Sequence, residues 1–278
     1  MRKEEYFNQY LNLLMYDVGS RSLLMQPIPF EVGMLQFEIV RKKSGFTMLH
    51  PEFHLYLEKS AEERVSVLFA KKRPFNKTAN FLISQDKAKT ARKGDDVMGK
   101  LRSNETKERY FLYNNGENPK NVHKVPLAGI RNEYLSVQYK YVPCSIGKLR
   151  KAKVVIPGMD PQMPSQAKEW KPLKKEDTML KKLEEPGQSD NFYCFVDNPP
   201  QWNPKTNGYH YDFRGRISEA SVKNFQIIPY LDGQKGVNIR AFVAQFGRVS
   251  DQIFKLDAQY PFSIFQAFGL ALTVFDCE

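Results

Sequence analysis

The sequence predicts a mostly β protein: a closed antiparallel β-barrel of about twelve strands, threaded by a central hydrophobic C-terminal α-helix. Three observations carry this. Short segments alternate apolar and polar residues with a period of two, as half-buried antiparallel strands do. Gly, Pro and Asn bound those segments at the spacing of a sandwich or barrel. The stretch from Pro261 to Phe275 carries no charge and is apolar on every side. With 278 residues, 41% of them hydrophobic, the chain can bury one substantial core or two modest ones.

In chain order, "EYFNQYLNLLMYDV" reads as an amphipathic helix with Tyr6, Tyr10, Leu13 and Leu14 on one side. "MLQFEIVRKK" sets Leu35, Phe37 and Ile39 against Gln36 and Glu38, the first strand. "HLYLE", "RVSVLFAKK", "NFLIS" and "RYFLYNNG" follow. "EYLSVQYKYV" repeats the pattern with Leu135, Val137, Tyr139 and Tyr141, and "KVVIPG" comes after it. Asp160 to Gln188 is a Pro- and Lys-rich excursion that breaks no domain, and "KKEDTMLKKLEE" within it reads as a short surface helix. "NFYCFV", "YHYDFRGR", "VKNFQIIPY" and "NIRAFVAQFG" complete the strands. The apolar run of about fifteen residues from Pro261 is too short for a bilayer core, which takes about 20. A helix apolar all round is buried on every side, and a closed sheet of about a dozen strands is wide enough to need a filler. Pro261 is placed to begin that helix in its first turn.

Lys and Arg outnumber Asp and Glu, 42 to 31, a net charge of +11. Such a surface suits an anionic partner: nucleic acid, an anionic membrane face, or an acidic protein such as a filament. Glu4 and Glu5 stand where a secretory leader needs apolar residues, and no run reaches spanning length, so an intracellular, cytoplasmic protein is expected. Cys144, Cys194 and Cys277 are odd in number and lack metal-ligand spacing, which argues against disulfides and structural zinc. Catalytic signatures are equally lacking. "HPE" at His50 to Glu52, with Pro143 and Cys144, begins a zinc-deaminase pattern, but Gly147 occupies the place of its second cysteine. His50 and His54 would share a metal only on a helix, which Pro51 opposes. A binding protein is expected, not an enzyme, and no cofactor. Without a helix-turn-helix, zinc finger or RNP aromatics, nucleic acid is not the expected partner.

Specific words then narrow the choice. "FRGRISEASVKNFQI" (Phe213 to Ile227), "AQFGRVSDQIFKLDAQYPFSIFQAFGLALTVFDCE" (Ala244 to Glu278), "KTANFLIS", "GKLRSN", "NNGENP" and "VIPGM" closely resemble the tubby C-terminal domain, in the family's order from about Met25 onward. The resemblance implies a twelve-stranded barrel threaded by the C-terminal helix. It also implies binding of phosphoinositides, chiefly phosphatidylinositol 4,5-bisphosphate, at a basic surface pocket. The chain divides accordingly into an N-terminal helical extension, residues 1–24, and a barrel domain, residues 25–278. Against the family's pattern three departures are expected: the long N-terminal regulatory region would be missing, the tail "TVFDCE" would be a few residues short, and Gly269 stands where Ala is commoner.

On a strand, residues i and i+2 point the same way about 6–7 Å apart, so Lys100 and Arg102 present two cations together while Leu101 turns to the core. Arg offers a planar fork to phosphate and Lys a point charge. By themselves the two also read as solvated strand residues. The resemblance carries the head-group role to Lys100 and Arg102, to Arg131 at the mouth of "EYLSVQYKYV", and to Asn80 in "KTAN". Lys71, Lys72, Arg73 and Lys77 are either a solvated face or a basic rim for an anionic leaflet, as are Lys148, Arg150, Lys151 and Lys153. The expected function is that of a phosphoinositide-binding adaptor, cytoplasmic and peripheral to membrane, linked to cilia and their cargo. The alternative is a structural protein held in a ciliary or axonemal assembly, with microtubules and their acidic tails as partner.

Overall fold

The structure, a computed structural model, describes residues 3–16, 20–43, 51–74, 76–86, 97–144, 147–163, 165–230 and 242–276. Its strands are β1 (Leu35–Lys42), β2 (Glu52–Glu58), β3 (Arg64–Lys72), β4 (Asn80–Ser84), β5 (Val97–Ser103), β6 (Arg109–Asn114), β7 (Glu133–Cys144), β8 (Gly147–Pro157), β9 (Phe192–Asp197), β10 (Gln201–Asn203), β11 (Gly208–His210), β12 (Phe225–Pro229), β13 (Ala244–Arg248) and β14 (Ile253–Ala258). Twelve of them close a barrel in which chain neighbours pair, except that β9 meets β12 and β1 meets β14; β10 and β11 form a separate two-stranded ribbon. Closure rests on the β1–β14 register, Phe37 opposite Leu256 and Ile39 opposite Phe254. All four side chains are buried. The alternation read from the sequence is thus the inside and outside of the barrel wall.

The axis is filled by α4 (Ile264–Thr273), every residue of which is buried. Its single amide earns its place twice. Gln266 Oε1 accepts from the Ser263 backbone N–H at 2.8 Å while Ser263 Oγ accepts from Gln266 N–H at 3.1 Å, a reciprocal cap. Gln266 Nε2 then donates to the Tyr134 carbonyl at 2.8 Å, tying the helix to β7. The helix therefore begins at Ile264 under a Ser263 cap, and Pro261 lies ahead of it, joined to Tyr260 by a cis peptide bond. Gly99 on β5 makes the helix's approach possible. A Cβ there would lie 2.5 Å from Phe265 Cζ and 2.2 Å from the Tyr113 carbonyl oxygen.

Two N-terminal helices, α1 (Lys3–Tyr16) and α2 (Ser20–Met25), pack onto this core: Tyr10, Leu11 and Leu24 are buried in the same apolar cluster as the barrel interior. The buried stripe is Phe7, Tyr10, Leu11 and Leu14, with helical spacing. Leu13, expected on that side, is 46% exposed.

Other readings shift as well. "YHYDFRGR" contributes only β11, because Arg214 and Gly215 take left-handed φ values of 51° and 77° and end any extended run. β14 is a strand the sequence reading had not separated, and residues 238–241 of "NIRAFVAQFG" lie outside the described residues. In the excursion, α3 (Met179–Lys182) is one turn long, and it is not merely a surface element: Met179 and Leu180 are buried with Val155 and Phe192 in a second apolar cluster outside the barrel wall.

"FRGR" has a job of its own. Arg216 Nε donates to Asp257 Oδ1 at 3.0 Å, and its Nη2 reaches both Asp257 and Glu58. Gln245 Nε2 donates to the other Asp257 oxygen at 2.6 Å, and Lys255 bridges Glu38 and Glu58. Burial would raise the Glu58 carboxyl, but Lys255 and Arg216 outweigh it and hold it below the usual range. This network straps the segment after β11 across the barrel's outer face.

Candidate functional site

Leu101 is fully buried while Lys100 and Arg102 lie half-buried on the outer face of β5. The register names their neighbours. On β4, Asn80 stands opposite Arg102 and Leu82 opposite Lys100. On β6, Phe111 stands opposite Arg102 and Tyr113 opposite Lys100. The Phe111 and Tyr113 rings are nearly parallel, 16° apart with centroids at 6.3 Å. Arg131 comes from the start of β7 to lay its guanidinium 3.9 Å from the centre of the Tyr113 ring, a cation–π contact. The four residues expected to share a role are therefore brought to one patch of β4, β5, β6 and the β7 entry.

Its electrostatics are those of a crowded cationic patch. Burial, then the positive fields of Arg131 and Arg73, push the Arg102 guanidinium below its ordinary range. Arg131 and Arg73 carry its own sign, so the three guanidinium groups repel one another. Asn80 is buried, and its Oδ1 has no hydrogen-bond partner among the described residues. That oxygen can only accept; the donor of the amide is Nδ2.

The loop after β6 holds Arg131 in place. Asn114 Oδ1 accepts from the N–H of Gly116 at 3.2 Å and of Asn132 at 2.9 Å. Gly116 passes so close that a Cβ on it would lie 2.6 Å from Arg131 Cα. The Arg131 N–H donates to the Glu117 carbonyl at 3.0 Å. "NNGENP" is thus the cradle of Arg131. That link, like the Tyr113 platform, went unread in the sequence, although Asn-Asn-Gly is a legible turn signal.

Glu133 lies two residues beyond Arg131 and is almost wholly buried. Burial pushes its carboxyl up to about 8, against the opposing hydrogen bonds from Ser136 and the Met179 backbone and the charge of Arg131. At neutral pH it is therefore mostly protonated and leaves the guanidinium's charge uncancelled. The folded pKa exceeds the unfolded value of about 4.3, so the folded state keeps a proton that the unfolded chain releases. The stability this contributes is complete below about pH 4 and is lost as pH rises toward 8. Glu133→Gln is expected to remove that slope, at most about 1.4 kcal/mol per pH unit, visible as melting curves that diverge from wild type with pH.

The expected rim separates into two kinds. Lys71 pairs with Glu52 at 3.0 Å. Lys72 follows Leu68 and Ala70 on the inward face of β3, and its ammonium lies 2.5 Å from the buried Asp276 carboxylate, which also accepts from Tyr110 Oη at 3.3 Å. Both lysines are therefore engaged within the fold. Arg73 and Lys77 are exposed, and the Arg73 N–H donates to the Asn80 carbonyl at 2.8 Å, placing Arg73 beside the site. In the second cluster Arg150 is half-buried, 5.0 Å from the Tyr139 ring centre, whereas Lys148 and Lys151 are exposed. Lys72→Ala, which strips a buried carboxylate of its nearest cation, is expected to cost about 3 kcal/mol. Thermal melting checks this.

Among the described residues no three His, Cys, Asp or Glu side chains gather as metal ligands. His50 and Cys277 lie outside them. His54 is buried against the Phe69 ring, 4.0 Å from Glu52, and Cys194 is a half-buried free thiol. No described helix is long and apolar enough to cross a membrane.

The profile of the Tub family matches residues 24–277. Human tubby-related protein 3 is 37% identical over 245 residues, covering 86% of this chain and 53% of its own. Tubby protein homolog 1 of Caenorhabditis briggsae is 35% identical over 244 residues, 85% of this chain and 55% of its own. Human tubby-related protein 1 is 33% identical over 263 residues, 92% and 45% respectively. The chain spans about half the length of the curated relatives it matches.

Proposed function

Because the chain belongs to the Tub family, we propose that it is a phosphoinositide-binding, membrane-associated adaptor whose Asn80, Lys100, Arg102 and Arg131 receive the head group of phosphatidylinositol 4,5-bisphosphate. The observation that carries this is the like-charged cluster itself: Arg102 sits under the fields of Arg131 and Arg73 on a half-buried patch. Folding concentrates positive charge there at a cost that a multiply charged anion removes. Arg102 supplies a fork, Lys100 a point charge, Asn80 a neutral donor, and Tyr113 keeps Arg131 from swinging away. The role is recognition without bond making: the protein sits peripherally on the cytoplasmic leaflet and links it to a ciliary cargo.

Vesicle sedimentation tests this. Wild-type protein should bind vesicles containing the 4,5-bisphosphate lipid in clear preference to phosphatidylserine vesicles of matched surface charge, because a fork and a point charge make a geometric demand. Equal binding to both would sink the proposal. It would favour the reading in which the +11 charge serves an acidic partner such as a microtubule in an axonemal assembly.

A further inference from the structure

We infer that the loop between β6 and β7 is a wedge that inserts into the lipid bilayer beside the head-group site. The inference rests on the pocket reading above and deepens it. The loop leaves the barrel at Asn114 and returns at Arg131, so its base is the pocket wall. It is an ordered element. The Glu117 N–H donates to the Gly129 carbonyl at 2.9 Å across the base. Two 3-10 turns, Pro119–Asn121 and Leu127–Gly129, shape the span, the first capped by Asn118 Oδ1 accepting from Lys120 N–H at 3.0 Å.

This ordered loop buries nothing: no residue from 117 to 129 is a core residue. Its apolar side chains instead face out, Val122 48% and Leu127 56% exposed. A single exposed apolar residue is ordinary. Here two share a hydrogen-bonded loop with the exposed cations Lys120 and Lys124, and the sequence from Asn118 to Arg131 contains no Asp or Glu. Apolar tips flanked by cations, with no acid, match an anionic bilayer interface, where the apolar groups enter the acyl boundary and the cations stay at head-group level. A head group held by Lys100, Arg102 and Arg131 would fix the membrane plane at the loop's base. The pocket would then identify the lipid and the loop would add affinity that soluble head group cannot report.

The test uses the whole chain and two ligands, soluble inositol 1,4,5-trisphosphate and vesicles carrying the 4,5-bisphosphate lipid. Val122→Ser/Leu127→Ser changes no buried residue. It should leave trisphosphate affinity unchanged and weaken vesicle binding about tenfold, equivalent to about 1.4 kcal/mol. Leu127→Cys carrying a polarity-sensitive dye should shift to the blue on those vesicles and not on trisphosphate, with labelled wild type as the background for its native cysteines. An unshifted dye on vesicles that do bind, or full vesicle affinity in the double variant, overturns the wedge and leaves the pocket standing; such a loop would belong to a protein contact. A wild type that binds neither trisphosphate nor vesicles overturns the pocket, and the wedge with it.

Discussion

Phe265→Asp yields no soluble folded protein. The ring is fully buried in α4 and meets Tyr134 edge-on at 5.5 Å, over the gap that Gly99 leaves in β5. The substitution removes an aromatic anchor worth about 3–5 kcal/mol and leaves a carboxylate buried in the apolar core. Together these match or exceed the whole stability of an ordinary domain, about 5–15 kcal/mol. Phe265→Leu is the control, because a volume-tolerant apolar swap typically costs less than about 1.5 kcal/mol. Soluble yield and thermal melting read both. A well-folded Phe265→Asp with an unchanged melt would refute the threaded core.

Lys100→Glu/Arg102→Glu should abolish binding of the bisphosphate lipid while the protein stays folded. The usual concern about a charge-reversal variant, that it simply unfolds, is answered by the local field. Arg102 is held among Arg131 and Arg73, so a carboxylate there meets opposite charge where the arginine met like charge. Its melting temperature should be unchanged or slightly higher, since both side chains lie on the outer face away from the core, where substitutions usually shift stability by within about 0.5 kcal/mol. Binding lost without stability lost is the signature of a site that the fold maintains against its own preference. If the double variant still binds, the pocket is wrong. If neutralising the pair lowers affinity only in proportion to charge, and salt near about 0.5 M erases the rest, a diffuse basic rim is the better account.

Much of this was legible, and the failures have physical causes. Leu35, Phe37 and Ile39, or Val154 and Ile156, announce a wall with one dry face because a strand alternates strictly. The same rule, carried two residues further along β3, would have turned Lys72 inward after Leu68 and Ala70. Reading Lys71, Lys72 and Arg73 as one basic run hid that the first two have partners in Glu52 and Asp276. "YHYDFRGR" alternates aromatics convincingly, yet Arg216 must reach Asp257, a residue far along the chain, and the left-handed backbone at Arg214 and Gly215 serves that reach. Pro261 looked like a helix start because local rules favour it, whereas Ser263 and Gln266 offered a reciprocal cap in the same few residues. In the site, the strand pair Lys100 and Arg102 followed from periodicity. The placement of Arg131 on Tyr113 did not, since it depends on how the long loop between β6 and β7 folds back on Asn114.

The order in which the core is assembled has a consequence for making the protein. Within the barrel, a ribosome delivers the wall strands before the central helix, and the seam that closes the barrel joins β1 to β14, the first and last of its twelve wall strands in chain order. Until then the inner faces of Phe37, Phe53 and Phe81 have nothing to pack on, and such long-range pairing is slow to form. A nascent chain stopped before residue 262 would already have made every wall strand, with Lys100, Arg102 and Arg131 among them, and would still lack the helix that fills their inner faces. Translation of this barrel should therefore depend on chaperones that shelter unpaired strands. A premature stop in its final turns of helix should send the product to degradation even though every wall strand has been made.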